Sequence, residues 1–177
     1  MKAKTILVIR HAEKPDEDGK VQGVQEDGDR SPHDLTVRGW QRAGALVRFF
    51  APHEGGLKRP DAIFAAASTD ASPSKRARHT VRPLAHELGL KIHDEFAEGQ
   101  EAAMIKAALN AGEVVLIAWH HGDIPAIAAC LGAAVPAVWD DGRFDLIWAF
   151  ERRGDAWAFR QVPLLLLPGD RAEPIAF

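Results

Sequence analysis

The 177 residues are 46% hydrophobic and 27% charged, the balance of a soluble globular protein with enough apolar material for a sizeable core, and they are read as one domain over 1–177. A net charge of −3 gives no support for a nucleic-acid partner, so any anion site must be local. The single cysteine, Cys130, excludes an intrachain disulfide and a multi-cysteine zinc site, and no apolar run approaches the length of a membrane span.

The chain starts Met1-Lys2-Ala3-Lys4, as a signal peptide would, but the apolar stretch that follows is too short and runs straight into Arg10-His11. No cleaved signal is therefore expected, and a reducing, cytoplasmic setting fits. Ile6 to Ile9 is an all-apolar run, suited to a strand covered on both faces. The turn after it, Arg10-His11-Ala12-Glu13-Lys14, gathers cations, an imidazole and a carboxylate. Pro15 to Asp34 is rich in Asp, Glu and Gly and reads as a long surface loop. Its Asp16-Glu17-Asp18-Gly19 lacks the ligand spacing of a calcium loop.

Thr36 is a fitting N-cap for a helix running to about Phe50, with Trp40, Ala43, Leu46, Val47 and Phe50 on one face. Pro52 and Gly55-Gly56 then stop it. Asp61 to Ala67 reads as a second strand. Ser72-Pro73 predicts the start of a second helix that reaches Gly89, with a kink or break at Pro83. Leu90 to His93 is a short strand, and Glu101 to Ala111 a helix. Val114 to Ala118 is another buried strand ending in His120-His121-Gly122-Asp123. A helix follows to Leu131, closed by Gly132. Phe144 to Phe150 and Ala156 to Val162 alternate as an antiparallel pair around Arg153-Gly154-Asp155. The five tryptophans read as packing, Trp119 being the one beside the histidine pair. The order predicts a three-layer α/β/α sandwich with a mostly parallel central sheet.

In such sheets the ligand crevice lies at the C-terminal ends of the strands. Arg10-His11, Arg76, Asp94-Glu95 with Glu98, and His120-His121 all fall on that rim. Guanidinium forks match phosphate oxygens. A neutral imidazole can form a covalent phosphohistidine, and a carboxyl group can protonate the leaving oxygen and later activate water. The set describes metal-free phosphoryl transfer. Ser72-Pro73-Ser74-Lys75 fits the S-x-x-K pattern of serine acyl enzymes but has no S-D-N or K-T-G partner.

Four segments in order carry a resemblance. Arg10-His11-Ala12-Glu13 resembles the RHxE signature of the histidine phosphatase superfamily, in its phosphoglycerate mutase-like branch. Leu35 to Gly39 is similar to its L-[ST]-x-x-G helix start, Ser72 to Thr80 to its S-x-x-x-R-A-x-x-T segment, and Val115 to Gly122 to its strand ending in His-Gly. The similarity covers residues 4 to 131. It implies His11 as the phosphorylated nucleophile and Arg10 and Arg76 as phosphate-binding residues. It also implies His121, directly before the glycine, as the residue that completes the pocket and stabilises the transition state. For the proton donor it offers Glu95 first and Glu98 second. His120 has no equivalent in the pattern, Lys14 stands where relatives carry a small polar residue, Glu13 orients its neighbours, and Arg38 and Arg42 are surface or salt-bridging residues.

The expectation is a phosphatase acting on phosphate monoesters of a small molecule or phosphoprotein, with no cofactor, metal, nucleic acid or membrane. A phosphomutase on the same site and a non-catalytic phosphate-binding module remain alternatives. A metal-dependent hydrolase built on His11, His120, His121 and Asp123 is weaker, because arginines on the same rim would repel a cation. The acidic loop 15–34 and the Trp139 to Phe144 region are the expected specificity surface.

Overall fold

The computed structural model describes residues 1–50 and 57–177. In chain order its elements are β1 (Thr5–Arg10), α1 (Val37–Phe50), β2 (Ala62–Ala65), α2 (Arg76–Leu88), β3 (Ile92–His93), α3 (Glu101–Ala111), β4 (Val114–Trp119), α4 (Ile124–Cys130), β5 (Leu146–Arg153) and β6 (Ala156–Pro163). The six strands form one sheet in the order β3-β2-β4-β1-β5-β6. The first four are parallel to one another, and β5 and β6 close one side antiparallel. The expected mostly parallel α/β sandwich is what the chain forms. The stop signals at Pro52 and Gly55-Gly56 lie outside the described residues.

Strand order fixes where the helices go. The chain steps one way along the sheet through β1, β2 and β3, then returns to β4, and right-handed crossovers put the two directions on opposite faces. Accordingly α1 packs on α2, and α3 on α4. With both faces covered, all residues of β2 and β4 are buried, as are Ile6 to Arg10 of β1. No helix among the described residues is long and apolar enough to cross a membrane.

Thr36 caps α1 as expected, its Oγ1 accepting the Gly39 N–H at 3.1 Å. Gly39 has a second reason to be glycine. A Cβ there would stand 2.7 Å from the Glu13 carbonyl oxygen, so only glycine lets α1 approach the turn after β1 this closely.

The second helix departs from expectation at its start. It begins at Arg76, not at Ser72, because residues 69–72 are held in a turn of their own: the Ser72 N–H donates to Thr69 Oγ1 at 3.0 Å and the Thr69 N–H to the Ser72 carbonyl at 2.9 Å. Ser72 is therefore not the cap, and Lys75 precedes the first turn. Pro83 does not end the helix, which runs on to the left-handed Gly89 (φ 64°).

The acidic loop is pinned rather than loose. Gly23 and Val24 bridge to Thr36 and Arg30, and Trp40 Nε1 donates to the Val24 carbonyl at 2.8 Å. The loop leans on the first half of α2. Glu26 pairs with Arg82, and the Lys75 N–H donates to the His33 carbonyl at 3.0 Å.

Candidate active site

The site starts where β1 and β4 end side by side. Their parallel register pairs Arg10 with Trp119, so the next residues, His11 and His120, emerge at equivalent positions on adjacent strands. The His11 N–H continues the ladder to the Trp119 carbonyl at 3.0 Å. Trp119 is itself fully buried, with Nε1 donating to the buried Glu101 carboxylate at 3.1 Å. The strand ends are thus fixed by packing and not by the turn that follows them.

His11 is 2% exposed. Its Nδ1 lies 2.7 Å from the Ala12 carbonyl oxygen. A carbonyl only accepts, so Nδ1 carries the proton and Nε2 bears the lone pair. Burial pushes the His11 pKa well below 6.5. The Ala12 carbonyl opposes this in part, and the charges of Arg10 and Arg76 and the ring of His120 add to it. The imidazole is therefore neutral at physiological pH.

The Arg10 side chain is fully buried. Its guanidinium lies over the Phe144 ring, 4.0 Å from the centroid, and donates from Nη1 to the Asp141 carbonyl and from Nη2 to Asp141 Oδ1 at 2.7 Å. Arg76 opens α2 and donates from Nη1 to the Pro32 carbonyl at 3.1 Å. Its buried Nε has no hydrogen-bond partner among the described residues. Thr80 couples the two arginine-bearing elements. Its Oγ1 accepts the Ala12 N–H and donates to the Arg76 carbonyl, both at 2.7 Å, and so ties the first turn of α2 to the His11 turn.

The histidine pair divides. The ring of His120 is edge-on to that of His11, centroids 5.5 Å apart, and its Nδ1 lies 3.5 Å from Glu98 Oε1. Its Nε2 is buried without a partner among the described residues. His121 is about a third exposed, and its Nε2 lies 3.3 Å from Asp141 Oδ1. The two glutamates divide as well. Glu95 pairs with Lys91 Nζ at 3.0 Å and lies 3.4 Å from His93 Nδ1. A small burial cost is outweighed by Lys91, and the carboxyl is held below its ordinary range. Glu98 instead sits beside His120, and its charge, with that of Asp34, opposes the burial that lowers the Arg76 pKa. Geometry thus brings together Arg10, His11, Arg76, His120 and Glu98, sets His121 across Asp141 from Arg10, and leaves Glu95 at the margin.

Among the described residues, no group of three or more His, Cys, Asp or Glu side chains is gathered as a metal site requires. What is gathered is a buried neutral imidazole between two guanidinium groups, a second imidazole and a carboxylate, an arrangement suited to a phosphoryl group.

A sequence model of the histidine phosphatase superfamily (branch 1) matches residues 6–101. The chain belongs to that superfamily. No curated protein sequence matches it. Among solved structures it is similar to the protein histidine phosphatase SixA complexed with tungstate, at 15% identity, 90% and 97% coverage of this and that chain, and TM-score 0.60. It is also similar to a phosphoserine phosphatase mutant from Entamoeba histolytica in complex with phosphoserine (15%, 88% and 94%, TM-score 0.56). A third is a mycobacterial glucosyl-3-phosphoglycerate phosphatase (16%, 88% and 96%, TM-score 0.54). These likenesses show a shared fold.

Some features of this histidine phosphatase superfamily member carry no short-range signal. Glu13 of the RHxE segment accepts from Arg38 Nε at 3.1 Å and Arg42 Nη2 at 2.9 Å. Arg42 is not at the surface. It is 3% exposed and also holds Asp170 through two bonds, of 2.7 and 3.0 Å, which ties the C-terminal segment to the His11 turn. Asp141 is the other such residue, since its contact with Arg10 joins positions 131 residues apart.

Proposed function

We propose that the chain is a metal-independent phosphatase that hydrolyses phosphate monoesters through a phosphohistidine on Nε2 of His11. The observation that carries this reading is the 2.7 Å contact of His11 Nδ1 with the Ala12 carbonyl, in a pocket where burial and two arginines keep the ring neutral. Membership in the superfamily supports phosphatase chemistry in general.

Arg10 and Arg76 bind the phosphoryl oxygens as planar forks. The Nε2 lone pair attacks phosphorus while the ester oxygen departs, taking a proton from Glu98. The Ala12 carbonyl accepts from Nδ1–H and so offsets the positive charge of the phosphorylated ring. Ionised Glu98 then takes a proton from water as the water oxygen attacks phosphorus, and His11 leaves neutral with phosphate released. His120 faces the same reacting centre and stabilises the charge that develops there. His121 and Glu95, the choices implied by the sequence pattern, take lesser parts because they point to Asp141 and to Lys91. The substrate class is a phosphorylated small molecule or a phosphoprotein. The lone, exposed Cys130 suits a reducing setting such as the cytoplasm.

The test is turnover of a chromogenic phosphate ester in EDTA, with rapid quench to trap label on the protein. Activity that persists in EDTA, with acid-labile, base-stable label lost in His11→Ala, is the expected result. Activity abolished by EDTA and restored by zinc would overturn the metal-free reading. A His11→Ala variant as fast as the parent would overturn the nucleophile.

A further inference from the structure

One residue already occupies the Nη1 and Nη2 arms of Arg10. Asp141 Oδ1 lies 2.7 Å from Arg10 Nη2, 3.3 Å from Lys14 Nζ and 3.3 Å from His121 Nε2. The Asp141 carbonyl takes the remaining arm of the Arg10 fork, Nη1. A carboxylate oxygen held between a buried guanidinium and an ammonium has the surroundings expected of a bound oxyanion. The pairing is also lopsided. The Arg10 side chain is fully buried, whereas that of Asp141 is 60% exposed.

The loop that carries Asp141 is firm at its base and exposed at its tip. Trp139 is fully buried and donates from Nε1 to the Arg143 carbonyl at 2.8 Å. Arg143 Nε donates to Asp145 Oδ1 at 2.6 Å, and Asp145 Oδ2 accepts the Arg171 N–H at 2.7 Å. Between these anchors Asp140, Asp141 and Gly142 are exposed, and the Gly142 N–H donates to Asp140 Oδ1 at 2.7 Å. The tip can swing without disturbing the core.

We propose that Asp141 is an internal competitor for the substrate's phosphoryl group, and thereby sets how tightly the site holds oxyanions. Its carboxylate and carbonyl hold the Arg10 fork until a phosphoryl dianion displaces them and the tip of the loop turns outward. A singly charged ligand only exchanges one monoanion for another on these donors and gains little. A dianion brings a second charge and more acceptor oxygens, and wins. The apparent affinity for any oxyanion is reduced by the fraction of molecules in which Asp141 is engaged, which keeps product phosphate weakly bound. This inference rests on the reading of Arg10 as a phosphoryl ligand.

The experiment is calorimetric binding of inorganic phosphate and of acetate to the parent, Asp141→Asn and Asp141→Ala, with KM and kcat for a chromogenic ester alongside. Folding of the variants is checked by circular dichroism. Asn keeps the shape and removes the charge; Ala removes both. The expected result is phosphate affinity raised about tenfold in both variants, a matching fall in KM, and acetate affinity raised by the same factor. Equal phosphate affinity in all three proteins overturns the competitor. Weaker affinity with reduced kcat in the variants also overturns it, and makes Asp141 a positioning residue for Arg10. Absence of phosphate binding in all three overturns the phosphate pocket itself.

Discussion

The ring of His120 stands edge-on to the ring of His11, 5.5 Å between centroids, because Arg10 and Trp119 are register partners in adjacent parallel strands. His121, one residue on, points to Asp141 instead. The two histidines therefore respond differently to replacement. His120→Ala removes the ring beside His11 and, on the proposed mechanism, is expected to lower kcat about 100-fold or more, the scale on which one transition-state donor acts. His121→Ala is expected to lower kcat less than about fivefold, well short of that scale. Steady-state kinetics on the two variants decides the matter, and the reverse ranking would return the role to His121.

The glutamates separate on the same logic. Glu98 lies 3.5 Å from His120 Nδ1, while Glu95 is engaged by Lys91. Glu98→Gln is expected to slow turnover about 100-fold or more for alkyl phosphates, whose leaving oxygen needs a proton, and far less for a nitrophenyl ester, whose leaving group needs none. Glu95→Gln should turn over both at the parent rate. A Glu98→Gln variant with no dependence on leaving group would show that another group or solvent supplies the proton.

These two pairs also show what a linear sequence holds and what it does not. The apolar runs of β1 and β4, the Thr36 cap and the arginine in the first turn of α2 are local patterns, and each lands where the sequence puts it. The choice between His120 and His121 needs the strand register, since successive residues at a strand end face opposite ways. The choice between Glu95 and Glu98 lies in a loop between β3 and α3, where spacing alone sets no direction. Ser72 reads as a helix cap from composition, but Thr69 claims it for a turn. Arg42 reads as a surface or salt-bridging residue; the salt bridges are there, but its burial is not legible because one partner, Asp170, is 128 residues away.

The neutral state of His11 has a measurable pH signature. Burial and the nearby arginines hold its pKa well below 6.5. Burial also lowers those of His79, His120 and His121. As pH falls through 6.5 the unfolded chain takes up protons at these histidines and the folded chain does not, so stability falls with falling pH over that range. Above 6.5 both states are neutral and these groups add no slope. Histidine ring resonances followed by NMR should show His11 unprotonated at pH 6, and urea midpoints should decline from pH 7 to pH 5. A His11 resonance titrating at or above 6.5 would refute the desolvated nucleophile.

Arg42 is the test of how the site is braced from behind. It bridges Glu13, two residues from His11, and Asp170 on the C-terminal segment, and the side chains of Arg42 and Asp170 are almost wholly buried. Removing one member of such a group leaves carboxylates buried without compensation, at a cost of about 3–5 kcal/mol. Arg38 also reaches Glu13, at 3.1 Å, and Asp170, at 3.6 Å, so it offsets part of the loss, and Arg42→Met is expected near the lower end of that range. Arg42→Lys keeps the charge but not the fork that serves two carboxylates, and should fall between the parent and Arg42→Met. Urea unfolding measures both. A loss under about 1 kcal/mol for Arg42→Met would be that of an exposed pair and would mean that Arg38 alone suffices. Because Glu13 carries the turn that presents His11, kcat should fall in the same order as stability, Arg42→Met lowest, at temperatures where each variant remains folded.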